Sequence, residues 1–214
     1  MYELVKGPLL WFAFAVFIGG SIFRLVRMFT LAKRDRVIYP YLSPKAALRS
    51  LIHWVVPFGG RNMRLRTAVT VVAFLFHVCL VVLPIFLLAH VLLWHDAWGI
   101  RWWTLSETLA DVMTVIVISG GIFFFMRRLV APEVRNVSSA GDFAILAIIL
   151  APYLTGFLAH HQLLAYKPML TIHILSGEIM LIAIPLTRLN HMLYFFFTRS
   201  YMAGEFAFRS ARDW

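Results

Sequence analysis

Five stretches of the chain stay apolar for long enough to cross a lipid bilayer, and polar residues fill the gaps between them. The hydrocarbon core of a membrane takes about 20 residues of α-helix. Runs of that kind occupy residues 8–30, 68–93, 107–126, 142–160 and 169–190. Pro84 falls inside the second run and predicts a kink there. Pro168, just ahead of the fifth, suits the first turn of a helix. Between residues 33 and 66 the pattern changes. The stretch SPKAALRSLIHWVVPFGG (43–60) is too short to span, yet Ala47, Leu48, Leu51, Ile52 and Val55 recur at roughly helical spacing. That predicts an amphipathic helix lying on the inner membrane surface. The expected fold is all-α: an integral membrane five-helix bundle, one domain over residues 1–214, with an interfacial helix in the 33–66 loop.

Composition excludes the soluble alternative. The 214 residues are 61% hydrophobic, with a mean hydropathy of +0.81, too apolar for a water-soluble domain of this length. The first run follows MYELVKGP with no small-residue cleavage site after it, so it reads as a retained helix. The net charge is +10, and its distribution carries the meaning. Of 20 Lys and Arg residues, 17 fall in 24–66, in 127–141 or after residue 187; only Lys6, Arg101 and Lys167 lie elsewhere. Cations accumulate on the cytoplasmic side. The expected topology therefore has the N-terminus outside and the C-terminus cytoplasmic, as five spans require. The charge serves topology, lipid headgroups and a docking surface for a cytoplasmic partner; nucleic acid is not expected. Trp94, Trp98, Trp102 and Trp103 cluster around the outer loop between the second and third runs, as an interfacial aromatic belt.

The chemistry rests on histidine. A single cysteine, Cys79, excludes an intrachain disulfide and an iron–sulphur cluster, which needs about four thiolates. It reads as a small apolar filler. Without a C-x-x-C-H motif there is no c-type haem attachment. Four of the eight histidines sit at two depths on two spans: His77 and His191 toward the inside, His90 and His173 toward the outside. Polar side chains within a membrane are expensive and tend to be functional, and neutral imidazole is a common metal ligand. Two histidines at one level on different helices suit the two axial positions of a haem iron. Two such levels make a transmembrane electron wire, with metal ligands His77, His90, His173 and His191. Arg61, Arg64, Arg66 and Arg188 are candidate partners for haem propionates on the inner side.

Spacing constrains the pairs. His173 and His191 are 18 residues apart, five turns of an ideal helix and so one face. His77 and His90 are 13 apart and miss a common face, with Pro84 between them to re-aim the second ring. His95 competes with His90: it is 18 residues from His77 but lies beyond the apolar run. His53 reads as a bystander. His160 and His161 end the fourth run as interfacial residues, or as a pair handling protons or quinone. Glu178 and Asp111 either relay a proton to a quinone or hydrogen-bond a neighbouring helix. Gly120, Gly121 and Gly177 predict close approach of helix to helix or helix to ring.

IHILSGEIMLIAIPLTRLNHM (172–192) resembles the last helix of the respiratory nitrate reductase gamma subunit family, dihaem b cytochromes. The likeness lies in His173, Gly177, Pro185, Arg188, Leu189 and His191, and in the interval between the two histidines. FFMRRLVAPEVRNVSSAGDFAILAIIL (124–150) is similar to the segment joining that family's third and fourth helices, and LFHVCL (75–80), with His77, to the start of its second. The second-helix histidine interval is about one helical turn longer here, the 33–66 loop is larger, and Arg101 and Trp102 stand where that enzyme has a lysine near its outer quinol site. The resemblance implies two haem b groups, His77 with His191 and His90 with His173. It also implies a quinol, with menaquinone as a candidate, and electrons passing to a cytoplasmic iron–sulphur subunit. Similar subunits occur beside heterodisulfide-reductase-like proteins in membrane complexes of sulphate reducers. Other membrane subunits and a periplasmic multihaem cytochrome c are thus expected partners, in a bacterial or archaeal cytoplasmic membrane. The alternative from another class is a haem-free membrane anchor or transporter subunit.

Overall fold

The computed structural model describes residues 2–37, 39 and 42–208. Arg209 and Arg212, counted above among the cytoplasmic cations, lie outside the described residues. Among those described, every regular element is helical. They are α1 (Tyr2–Arg34, with a π-helical turn at Val5–Leu9), α2 (Pro44–Val55), α3 (Arg61–Leu65), α4 (Thr67–Phe86), α5 (Leu88–Trp98), α6 (Glu107–Val130), α7 (Pro132–Arg135), α8 (Ala140–His160), α9 (Tyr166–Leu186) and α10 (His191–Phe208). Five stretches are long and apolar enough to cross a membrane: Tyr2–Arg34, Thr67–Trp98, Glu107–Val130, Ala140–His160 and Tyr166–Leu186. They are the five predicted spans, the second being α4 and α5 in succession. Their outward faces carry large apolar groups such as Trp11, Ile22, Phe23, Leu75 and Ile122, all close to half exposed or more. Water would not support such a surface, and acyl chains do. The protein is an all-α, multi-pass membrane protein.

Contacts group the chain into two units, residues 1–70 with 178–214, and residues 71–177. In the 71–177 unit, Phe76, Cys79 and Leu83 of α4 are buried at helical spacing. Gly120 of α6 lets Phe76 approach, since a Cβ there would stand 3.0 Å from the ring. Gly121 does the same for Leu150 of α8. Gly177 has open space where its Cβ would be, so no helix approaches closely there among the described residues. The start of α8 is held by Asp142, whose Oδ2 accepts from the Ser139 backbone N–H at 2.8 Å. That satisfies one donor outside the helix.

In the other unit, Gly20 of α1 lies against Pro185 of α9, and Arg24 Nε donates to the Pro185 carbonyl at 3.0 Å. The predicted surface helix is α2, capped by Ser43 Oγ. It packs on α10, an element the apolar runs did not reveal. The Arg199 guanidinium of α10 sits 3.6 Å over the Trp54 ring, and burial lowers its pKa. Tyr201 donates to Asp35; burial, together with that carboxylate, pushes its phenol up to about 12. Ala47 and Leu51 are partly covered, whereas Leu48, Ile52 and Val55 point outward and are more than half exposed. An apolar stripe is thus left free on α2, as an interfacial helix requires.

The fifth span corrects one expectation. His173 and His191 do not share a helix, because α9 ends at Leu186. Thr187 is extended (φ −121°, ψ −170°), its Oγ1 donates to the Ala183 carbonyl at 2.7 Å, and the same oxygen accepts from Leu189 N–H at 3.2 Å. This cap stops one helix, and a short turn at Arg188–Asn190 leads into α10. His191 opens α10, so the five-turn argument for a shared face does not apply to it.

Candidate functional site: an imidazole pair beside a broken helix

The site grows out of a break in the second span. Proline has no N–H, so Pro84 leaves the Leu80 carbonyl without its helical donor. Three residues later Leu87 turns extended (φ −69°, ψ 131°), and the carbonyls of Pro84, Ile85 and Phe86 lose theirs too. A bare carbonyl in apolar surroundings costs several kcal/mol, on the order of 2–7, so each of the four needs a new donor. Each has one. The Tyr153 hydroxyl of α8 donates to Leu80 O at 2.6 Å. His90 Nδ1 meets Pro84 O at 3.0 Å. Trp102 Nε1 donates to Ile85 O at 2.9 Å, and Leu105 N–H to Phe86 O at 2.9 Å. The break therefore recruits the 99–106 loop and α8, and the His90 ring serves as one of its four donors.

His90 then lies beside His173 of α9. The two ring centroids are 6.1 Å apart and the planes are 10° from parallel. His173 Nδ1 meets the Pro152 carbonyl of α8 at 2.9 Å. In both rings Nδ1 must carry the proton, since a carbonyl only accepts. That fixes the tautomer and leaves Nε2 as a lone-pair donor, the arrangement metal-bound histidines adopt. Gly156 of α8 underlies His173: a Cβ there would come within 2.9 Å of the ring. The separation leaves no ring-to-ring hydrogen bond. Metal–imidazole bonds are about 2.0–2.1 Å, so two rings joined by one metal have centroids about 6 Å apart. The residues present fit two axial ligands of one haem.

His95, the competing ligand, is exposed at the end of α5 and lies 3.7 Å from Asp96. Its position gives it no part in this pair. The other two candidate ligands, His77 and His191, fall in different units. His77 is in the 71–177 unit, with Nδ1 2.7 Å from Ala73 O. His191 is in the other, with Nδ1 2.9 Å from Arg188 O. Both thus share the tautomer of the His90–His173 pair. All four candidate arginines, Arg61, Arg64, Arg66 and Arg188, are exposed. Arg64 is committed locally, its Nη1 donating to Phe58 O and Gly59 O at 3.0 and 2.8 Å. Glu178 is buried at 2% exposure, with no hydrogen-bond partner for either carboxylate oxygen among the described residues. Asp111, His160 and His161 come together at the ends of α6 and α8. Residue spacing did not reveal Tyr153, Pro152, Gly156 or this last grouping. The one signal available was Pro84, which announces an orphan carbonyl at Leu80 but not who reaches it.

Fold and site together define a multi-pass helical membrane protein with a paired, tautomer-fixed imidazole site in its second and fifth spans. A curated protein of Nitratidesulfovibrio vulgaris (strain Hildenborough), named only "Protein", is 36% identical over 214 residues, covering 98% of this chain and 95% of its own length. The chain belongs to that protein's family. No family model matches it, and no solved structure does.

Proposed function

We propose that the protein is a dihaem b-type cytochrome, the membrane subunit of a larger redox complex. It carries electrons across the cytoplasmic membrane of a bacterium or archaeon, between a quinone pool or periplasmic donor and an iron–sulphur partner. The observation that carries this reading is the His90–His173 pair, 6.1 Å apart, each Nδ1 held by a backbone carbonyl. Nothing in ordinary helix packing calls for two membrane imidazoles side by side with both Nε2 atoms left as lone-pair donors.

His90 and His173 would hold the outer haem, and His77 and His191 the inner one. Each group, when bound, supplies a one-electron carrier. The carbonyls of Pro84 and Pro152 orient the outer rings and raise their basicity as ligands. Arg61, Arg64, Arg66 and Arg188 are the exposed cations proposed to face propionates on the inner side. Glu178, buried without a partner, is the candidate proton carrier toward a quinone. The resemblance of the fifth span to the nitrate reductase gamma family supports both the haem count and the iron–sulphur partner.

The purified protein is expected to show a b-type alpha band in its reduced-minus-oxidised spectrum, with two haems per chain. His173→Ala should leave one, and so should His191→Ala, with different residual spectra. A protein that purifies folded and without haem would establish the anchor or transporter reading instead.

A further inference from the structure

Three ligand-type side chains outside the imidazole pair converge where α6 begins and α8 ends. Asp111 lies in the second turn of α6, His160 closes α8, and His161 follows it. One ligand atom from each lies within 4.8 Å of the others. His161 Nε2 is 3.1 Å from Asp111 Oδ1. The His160 and His161 ring centroids are 4.9 Å apart, with planes at 77°. Successive residues on a helix point about 100° apart and do not face each other. The convergence comes from termination: His161 has φ −81° and ψ 2°, and Gln162 takes a positive φ of 50°. The His161 ring folds back to 4.4 Å from Phe157, on the side that His160 also reaches.

Two imidazoles and one carboxylate are a donor set for a borderline-soft divalent ion. A tetrahedral zinc ion with bonds of about 2.0–2.1 Å spaces its ligand atoms about 3.3 Å apart, and the His161–Asp111 edge is already at 3.1 Å. The carbonyl end of α8 carries partial negative charge and favours a cation there. Asp111 adds the one full charge. All three side chains reach solvent, so an ion can enter and a fourth position stays open to water, the pattern of an exchangeable site and not a closed structural one.

We propose that Asp111, His160 and His161 form a site for a divalent transition-metal ion of the zinc class, distinct from the imidazole pair. His160 lies four residues after Gly156 and eight after Pro152, on the face of α8 that supports His173. A bound ion therefore stands about 12 Å along that helix from the carbonyl orienting His173.

The test is calorimetric titration of zinc into untagged, chelator-treated protein in detergent, with haem content measured on the same samples. One saturable zinc per chain is expected. Asp111→Asn and His161→Gln should each weaken it by about tenfold or more, while His53→Gln leaves it unchanged. Copper(II) added in place of zinc should give an EPR spectrum with nitrogen coupling that is lost in the His160→Gln, His161→Gln double variant. No saturable binding, or zinc affinity that survives the double variant in protein of normal haem content or normal elution volume, would overturn the site. Zinc stoichiometry and haem stoichiometry are separate readings, so either proposal can fail alone.

Discussion

A histidine in a membrane needs its ring held, and two residues of one neighbouring helix hold His173. The Pro152 carbonyl accepts from the Nδ1–H, and Gly156 leaves the room the ring occupies. At most helical positions, replacing glycine by a larger residue would favour the helix, by up to about 1 kcal/mol. At Gly156 the new Cβ would meet the imidazole at 2.9 Å, so the ring must move. On the proposed dihaem reading, Gly156→Val is therefore expected to lower haem content from two to one per chain, as His173→Ala should, with α8 still helical by circular dichroism. Retention of both haems would mean that the ring has slack and does not define the ligand position. The histidines themselves were legible in the chain, because depth along an apolar run places His90 and His173 at one level. Pro152 and Gly156 were not, since nothing in their own neighbourhood points to a side chain 17 to 21 residues away. Asp111 and His161, 50 residues apart, were hidden for the same reason.

At the scale of the element, the break between α4 and α5 depends on partners from elsewhere. Four carbonyls are released, and four donors answer them. Trp102 was read from the chain as part of an interfacial belt; in the fold its indole N–H is also a structural donor to Ile85 O. Trp102→Phe keeps the ring and deletes the donor. Leaving a carbonyl unsatisfied costs about 1–3 kcal/mol, so this variant is expected to melt several degrees lower in detergent. Trp103→Phe is the control, because Trp103 only stacks on Phe86, at 4.3 Å, and phenylalanine keeps that contact. Equal loss in both variants would mean that aromatic bulk, not the hydrogen bond, holds the outer loop. Pro84 made the kink predictable, but the extended residue that completes it is Leu87, whose own chemistry gives no such signal. The end of α9 at Leu186 went unread for a related reason. The apolar run was read on to residue 190, but the local bonds of Thr187 stop the helix at Leu186.

At the scale of the whole molecule, the proposed function depends on which end of the spans faces which compartment, and the charge pattern makes that testable. Seventeen of 20 cations fall on the side expected to be cytoplasmic. The chain also supplies a silent background for labelling, because its single cysteine, Cys79, is only 4% exposed. A cysteine at Leu163, in the exposed turn after α8, should react with a membrane-impermeant maleimide on intact cells. A cysteine at Asn62, exposed in α3, should react only after permeabilisation. That outcome would put His90, His173 and the Asp111 cluster toward the outside, where a quinol or periplasmic donor would deliver electrons. It would put His77, His191 and the basic 33–66 segment toward a cytoplasmic acceptor. The reverse pattern would leave every side-chain contact intact while exchanging the donor and acceptor ends. On the proposed reading, the loops would set the direction of electron flow, and the four imidazoles would set its path.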